Sequence, residues 1–330
     1  MGHDIGHPGL TNNYQVNAKT NMALTYNDIS CLENFHACKL FTVAKMPENN
    51  IFEKITNDDY KLIRKRIIPM ILATDMFNHK KVMDCIYNTI KDINDADGSS
   101  FIYNKDKIIS EKDSQELNQK IDSFFKKFDE KDEKSAKSKH DNQQAFLDYF
   151  IHAADLAHNT KSFKLSIKWV ELLSEEFWKE GDIEKQMGLP VNDLCDRQRT
   201  DVPKSQVGFI KFMIVPTFID MVNVFHSLMY MIDNAESNKD IWANIQQQNR
   251  KRGWTPPKIN SNDSTKLNSG NKLKDNKIVC KGNLNKSLSK STEIKKIYKS
   301  YNLFNAKNKI SKMSSNFFKK KIFDNSHSNI

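Results

Sequence analysis

The chain has 330 residues, of which 38% are hydrophobic and 28% charged, and this is enough for one large globular domain with attachments. The formal net charge is +10, but residues 250–330 hold 20 Lys/Arg against 4 Asp/Glu, so the remainder is net acidic. The basic charge belongs to the C-terminal segment, which argues against reading the folded part as a nucleic-acid-binding domain. Nucleic acid is therefore not an expected partner.

The five cysteines are scattered and have no C-x-x-C spacing: Cys31, Cys38, Cys85, Cys195 and Cys280. This pattern is typical of reduced thiols in a cytosolic protein, and it argues against a disulfide framework or a cysteine zinc site. No signal-peptide pattern is found, and the most apolar stretch, residues 207–232, contains Lys211, Pro216 and Asp220. These residues predict a buried globular helix rather than a membrane span.

Residues 1–93 carry apolar side chains at helical spacing, including Tyr60, Ile63, Ile67 and Ile71. Residues 94–142 differ, because the part from Lys126 to His140 has almost no apolar side chain. We predict that 94–142 is a low-complexity charged insert, largely solvated and disordered, with one short helix near residues 117–128.

Residues 143–249 return to helical periodicity, with an apolar stripe that includes Phe146, Phe150 and Ala154. Beyond Trp254 the chain is rich in Lys, Asn and Ser, which predicts a basic, disordered tail over residues 251–330. The alternation typical of strands is nearly absent, so the predicted fold class is all-α, a compact multi-helix bundle, and a parallel-sheet hydrolase is excluded.

Near the N-terminus, His3-Asp4 is followed by His7 and a helix-stopping Pro-Gly. An imidazole beside a carboxylate offers ligands suited to zinc, with oxygen left for a harder ion. A surface His-Asp pair explains this pattern at least as well when it is taken alone.

Two later patterns also carry functional groups. Asp155 lies in an apolar helix, where a buried carboxylate needs a metal or an arginine as partner. Gln206 precedes an apolar helix, and Phe209 lies three residues further on, on the same helix face. The amide could hydrogen-bond to the edge of a heterocycle while the phenyl ring stacks on it. Ordinary helix-edge and core residues explain each of these patterns equally well alone.

Together and in this order, the patterns resemble the class I cyclic nucleotide phosphodiesterases. The matching segments are H-D-x-x-H-P-G over 3–9, L-x-Y-N-D-x-S-x-L-E-N-x-H over 24–36, L-A-T-D-M over 72–76 followed by a histidine, H-A-A-D-L over 152–156 and S-Q-V-G-F over 205–209. The resemblance implies a catalytic domain over residues 1–250, with an HD-domain-like helical bundle around a metal cleft. It implies hydrolysis of cGMP or cAMP to the 5′-monophosphate by a hydroxide activated between two metal ions, in cyclic nucleotide signalling.

The resemblance also implies the metal-binding residues. His3, Asp4 and Asp155 match direct ligands of a tightly held Zn²⁺ and of a second ion, Mg²⁺ or Mn²⁺, with Asp4 bridging both. Glu33 and Thr74 match residues that hold the second ion through water.

His7 matches the histidine that reaches the hydroxide and the phosphate, so the implied catalytic residues are His7, Glu33 and Asp4. The implied substrate-binding residues are a purine-recognising amide, an apolar clamp on the base and two positions of the pocket wall: Gln206, Phe209, Leu173, Tyr26 and Asn12. The amide of Gln206 suits either purine. Abundant Asn and Lys are typical of an AT-rich protozoan genome such as that of an apicomplexan, and because such organisms use cGMP signalling, cGMP is the favoured substrate.

One family segment has no match. In the family, an H-N-x-x-H-A-x-D helix lies upstream of the H-D pair. That helix carries the fourth metal ligand and the histidine that protonates the leaving oxygen. These 330 residues contain no such pattern. We therefore expect an N-terminally truncated cytoplasmic catalytic domain with weak metal binding and little turnover, whose longer parent is active and can be membrane-associated.

Two alternatives stay open. Another H-D metal-dependent phosphohydrolase would share His3-Asp4 and Asp155, but it would not need the 24–36 or 205–209 segments. A pseudoenzyme or impaired fragment would keep only the metal and nucleotide pocket. In the tail, Lys319-Lys320-Lys321 could contact an anionic membrane, although a solvated extension explains the run more simply. The oligomeric state is not predicted.

Overall fold

The structure is a computed structural model, and it describes residues 2–96, 101–127 and 133–251. Within these ranges all regular secondary structure is helical, which confirms the all-α prediction. The tail predicted over 251–330 lies outside the described residues, apart from Lys251 at the end of the last helix.

The described residues form eleven α-helices: α1 (Asn12–Asn17), α2 (Asn21–Thr25), α3 (Cys31–Val43), α4 (Asn57–Leu72), α5 (His79–Ala96), α6 (Glu111–Lys127), α7 (Glu133–Asp155), α8 (Phe163–Met187), α9 (Val202–Phe209), α10 (Val215–Val224) and α11 (Met229–Lys251). Short 3₁₀ turns lie at Pro47–Asn49, Met76–Asn78, Leu156–Thr160 and His226–Leu228, and a π-helical segment, Ile210–Ile214, joins α9 to α10.

The sequence marks many of the helix ends. Thr11, Thr20 and Thr56 precede α1, α2 and α4, and each side-chain oxygen accepts a hydrogen bond from a backbone N–H in the first turn. Asp201 caps α9 in the same way. The long helix α8 ends at Gly188, whose φ of +68° suits glycine best. These local signals set where the functional segments begin and end.

The core lies where α7 packs against both α4 and α5, and where α9 and α10 pack against α11. Large side chains such as Ile86, Tyr149, Phe218 and Trp242 are fully buried there. Burying an apolar side chain of this size stabilises the fold by about 1.5–3 kcal/mol each, so these contacts hold the helices that carry the site.

The stretch Val202–Val224 is long and apolar enough to cross a membrane by length and composition alone. Half of its most apolar window is buried inside the protein. Ile210, Ile214 and Phe218 have at most 1% of their surface exposed, so the stretch packs as the core helix that the sequence predicts.

The segment 101–127 corrects the prediction of a largely solvated insert over 94–142. Helix α6 has 17 residues, begins earlier than the predicted 117–128 helix and packs against α5 and α10. Tyr103 and Leu117 are buried, and the backbone N–H of Ile109 donates to Asn223 Oδ1 at 3.0 Å. The segment thus packs against α10, which composition does not reveal. Residues 97–100 and 128–132 lie outside the described ranges.

Candidate metal and nucleotide site

The segment that carries His3 and Asp4 is a turn, not a helix, and it is attached to α3. His36 of α3 contacts the carbonyl oxygen of Ile5 through Nδ1 at 3.0 Å. Gly6 bends the turn with a φ of +78° that few other residues tolerate. This attachment holds the turn against the bundle.

The turn meets the C-terminal end of α7, where Asp155 is the last helical residue. His3 Nε2 lies 3.0 Å from Asp4 Oδ2 and 3.2 Å from Asp155 Oδ1. One ligand-type atom from each of the three residues lies within 4.8 Å of the others. The structure therefore brings together three predicted metal ligands that are 152 positions apart in sequence.

The charges of this cluster are interdependent. Hydrogen bonds with Asp155 and then with Asp4 raise the pKa of His3 to about 10. The same contact with His3 lowers the pKa of Asp4. One imidazole and two carboxylates form a donor set that fits divalent zinc, with carboxylate oxygens that also suit a harder ion.

Glu33 lies on the first turn of α3 and is buried, and this burial raises its pKa. Asn12 Nδ2 donates to Glu33 Oε2 at 2.9 Å, and Asn12 Oδ1 accepts from the backbone N–H of Leu32 at 2.9 Å. Asn12 therefore braces Glu33, and its predicted contact with a nucleotide stays a prediction. Thr74 is buried after α4 and donates its hydroxyl to the Ile71 carbonyl at 2.7 Å, so its role through water also stays a prediction.

His7 and His36 stack with ring centroids 5.5 Å apart. The backbone N–H of Gly9 donates to His7 Nδ1 at 3.0 Å. His36 is 1% exposed, and its Nε2 makes no hydrogen bond within the described residues although it lies 3.8 Å from Asp4 Oδ1. No role was predicted for His36, although the L-E-N-x-H pattern that contains it could have indicated one.

A second histidine pair lies behind Asp155. His79 Nδ1 is 2.8 Å from His152 Nε2, and His152 is fully buried three residues before Asp155 on α7. Burial lowers the pKa of both histidines. Their contact joins the start of α5 to the end of α7, so it helps to hold the carboxylate in place. His79 follows the matched segment 72–76 and His152 begins the segment 152–156, but the sequence alone predicts no contact between them.

The predicted nucleotide-binding residues lie on several elements. Gln206 is on α9, and its Oε1 is buried without a hydrogen-bond partner among the described residues. Phe209 ends the same helix and is half-buried, and Leu173 on α8 is 38% exposed. Tyr26 follows α2, and burial together with the Cys38 thiol raises its pKa. A free buried acceptor on Gln206 suits a polar ligand, whereas the clamp and wall roles of the other residues stay predictions.

Known proteins share this sequence pattern. A family model described as 3′5′-cyclic nucleotide phosphodiesterase matches residues 1–235. The chain belongs to this family. The match confirms the resemblance found in the sequence.

Two curated phosphodiesterases illustrate the relationship. The dual specificity calcium/calmodulin-dependent 3′,5′-cyclic nucleotide phosphodiesterase 1B of Bos taurus is 34% identical over 222 residues, which cover 67% of this chain and 33% of that protein. The high affinity cGMP-specific 3′,5′-cyclic phosphodiesterase 9A of Homo sapiens is 32% identical over 223 residues, which cover 68% of this chain and 30% of that protein. The chain thus spans about a third of the length of these relatives.

The fold agrees with solved phosphodiesterases. The phosphodiesterase domain of the RhoPDE fusion protein from the choanoflagellate Salpingoeca rosetta superposes with a TM-score of 0.59 at 26% identity. The match covers 76% of this chain and 67% of that one. This similarity confirms that the helices form a phosphodiesterase bundle.

Proposed function

We propose that the chain hydrolyses 3′,5′-cyclic nucleotides to 5′-monophosphates as part of a longer polypeptide, in cytoplasmic cyclic nucleotide signalling. The proposal rests on one observation: in a chain of this family, ligand atoms of His3, Asp4 and Asp155 lie within 4.8 Å of one another. The relatives named above act on cyclic nucleotides, one of them with dual specificity and one specific for cGMP.

The same three residues would hold the divalent cations, Zn²⁺ at the tighter site and Mg²⁺ or Mn²⁺ at the second. Bound cations would supply positive charge for the phosphoryl oxygens and lower the pKa of a water that attacks phosphorus. Glu33 and Thr74 would orient water at the second cation. The brace from Asn12 keeps the buried Glu33 carboxylate in one position for this task.

His7 would contact the phosphate. Because Nδ1 accepts the N–H of Gly9, the neutral imidazole carries its proton on Nε2. That N–H can donate to a phosphoryl oxygen on which negative charge develops. Stacking on His36 limits rotation of the ring, and His36 is itself held by the Ile5 carbonyl, so the donor is positioned before substrate binds.

Gln206 would bind the purine edge. Its amide presents one acceptor and two donors, and the unpaired, buried Oε1 favours a ligand with an N–H in the base plane. Rotation of the amide suits either adenine or guanine. We propose that both cAMP and cGMP bind, with cGMP preferred, and that Phe209 and Leu173 cover the faces of the base.

Turnover also needs a group that protonates the leaving 3′ oxygen. Family resemblance assigns this step to a histidine of the H-N-x-x-H-A-x-D helix, and these 330 residues contain no such pattern. General-acid catalysis contributes about 10²–10⁴ in rate. We therefore propose that the 330-residue chain binds cyclic nucleotide and turns it over weakly, and that a longer chain with this helix is fully active.

The test is a hydrolysis assay with cAMP and cGMP, with Mg²⁺ or Mn²⁺ and Zn²⁺ present, on the chain and on a version extended upstream. We expect the extended chain to be faster by about 10²-fold or more, and Asp155→Ala to remove that activity. Asp84→Ala, at a half-exposed position on α5, is the matched control and should keep full activity. Equal rates for the two lengths would contradict the missing-acid proposal. Nucleotide binding without hydrolysis by the extended chain would favour a pseudoenzyme.

A further inference from the structure

A second cluster of metal-ligand side chains lies apart from His3, Asp4 and Asp155. Glu180 and Glu184 are one turn apart on the same face of α8, and Cys195 is in the loop that follows the helix. One carboxylate oxygen or sulfur from each lies within 4.8 Å of the others. All three are buried, with 2%, 2% and 5% of their surfaces exposed.

Gly181 explains how the loop approaches the helix so closely. A Cβ atom at this position would lie 2.0 Å from the Cys195 carbonyl oxygen, a distance that no side chain can occupy. The absence of a side chain therefore lets Cys195 lie directly against α8. The close approach of the Cys195 loop to α8 is made by the backbone and does not depend on a flexible side chain.

The hydrogen bonds of the cluster are incomplete. Glu180 accepts from the backbone N–H of Thr11 at 2.5 Å and from its hydroxyl at 2.8 Å, and the Cys195 thiol lies 3.6 Å from the same carboxylate. Glu184 Oε2, by contrast, is buried and accepts no hydrogen bond within the described residues. A buried carboxylate oxygen without a partner is costly unless a proton or a cation compensates it.

We propose that Glu180, Glu184 and Cys195 bind a divalent cation of the zinc type at a structural site separate from the phosphodiesterase centre. A thiolate ligand favours Zn²⁺ over Mg²⁺ or Ca²⁺, and two carboxylates complete a set of three protein ligands. The scattered cysteines argued against a cysteine zinc site, but cysteine spacing cannot reveal a site whose other ligands are glutamates.

An adjoining cavity gives access to the cluster. It has a volume of about 510 Å³, and its lining includes all three ligands and Thr11. The cavity has room for a water as the fourth ligand of a tetrahedral ion. Because binding needs the thiolate, the Cys195 proton and any proton on Glu184 pass to solvent as the cation enters.

The position of the site suggests what the cation does. Thr11 caps α1 only two residues after Gly9, and its contacts with Glu180 tie the His3–Gly9 segment to α8. A cation on Glu180 would join this segment, α8 and the Cys195 loop at one point. It would therefore stiffen the segment that carries His3 and His7 without contacting substrate.

Cobalt is the probe, because a thiolate bound to Co²⁺ gives a near-ultraviolet charge-transfer band that imidazole and carboxylate ligands do not. The 330-residue chain, stripped of metal with a chelator, is titrated with Co²⁺. We expect the band to saturate at one Co²⁺ per chain and to disappear when Zn²⁺ is added. Cys195→Ser should abolish the band, whereas Cys38→Ser and Cys280→Ser should keep it. Asp155→Ala should also keep it, since that residue belongs to the other centre.

Glu184→Gln provides the second variant, because it preserves shape even if Cys195→Ser were to unfold. We expect it to lower the Co²⁺ affinity measured from the charge-transfer band by at least about tenfold. The far-ultraviolet circular dichroism spectrum should stay unchanged. Absence of the band from the wild-type chain would overturn the proposal. So would a band that survives Cys195→Ser, or one that Glu184→Gln leaves with its original affinity.

Discussion

The buried pair of Asp220 and Tyr103 tests whether the 101–127 segment belongs to the folded core. Asp220 is on α10 and is 1% exposed, and the Tyr103 hydroxyl donates to its Oδ1 at 2.5 Å. Burial raises the pKa of Asp220 from an ordinary 3.8 to about 6, even though the hydrogen bond from Tyr103 opposes the shift. We expect Asp220→Asn to remove a pH-dependent cost from the native state.

The magnitude follows from the shift. An elevation of about two pKa units corresponds to about 3 kcal/mol, because each unit is worth about 1.4 kcal/mol. Because the folded pKa is raised, the protonated carboxyl stabilises the native state fully below pH ~4, and this contribution is lost as the pH rises through about 6. An asparagine has the same shape and cannot ionise. The stability of Asp220→Asn relative to the wild type should therefore increase by on the order of 3 kcal/mol between pH ~4 and pH ~7.5.

Urea unfolding followed by tryptophan fluorescence at several pH values measures this difference, and the fully buried Trp242 is a suitable probe. Asp122→Asn is the matched control, since Asp122 is on α6 with 64% of its side chain exposed, and it should change stability by less than about 0.5 kcal/mol at any pH. If the difference between Asp220→Asn and the wild type is the same at both ends of the pH range, the carboxyl is not buried as described, and the reasoning fails.

Three further predictions concern the site and its supports. Asn12→Ala should lower the free energy of unfolding by about 1–3 kcal/mol, measured by urea titration, because it leaves the buried Glu33 oxygen without its donor. Gly181→Ala should lower the melting temperature by several degrees, because the new Cβ meets the Cys195 carbonyl, and overpacking of this kind costs about 1–3 kcal/mol. Cation binding at His3 should release a proton, so its calorimetric enthalpy near neutral pH should vary with the ionisation enthalpy of the buffer.

Each of these three experiments has its own comparison. Gly208→Ala, where a Cβ would meet no atom within 4 Å, should melt close to the wild-type temperature, and equal losses for the two glycine variants would contradict the packing argument. Calorimetry in a Cys195→Ser background isolates protons released at His3. A buffer-independent enthalpy there would show that His3 carries no proton before the cation binds. An Asn12→Ala chain as stable as the wild type would show that Glu33 does not need the brace.

The sequence by itself determined the fold class, the family and the order of the functional segments. A helix in a stretch such as 60–72 can be recognised from the spacing of neighbouring apolar residues. The N-cap residues Thr11, Thr20 and Thr56 are local signals as well. His3-Asp4, Asp155 and Gln206 were identifiable because their neighbours form long collinear motifs. None of these inferences required knowledge of which helices touch.

Tertiary structure decided everything that depends on residues far apart in the chain. The 94–142 segment was predicted to be solvated because residues 126–140 have almost no apolar side chain, yet Tyr103 and Leu117 are buried through contacts that only the packed fold supplies. The contact of His3 with Asp155, the brace from Asn12 to Glu33 and the cluster at Cys195 arise in the same way. Local sequence can reveal a side chain's chemistry, but its partner, burial and pKa depend on where the rest of the chain folds.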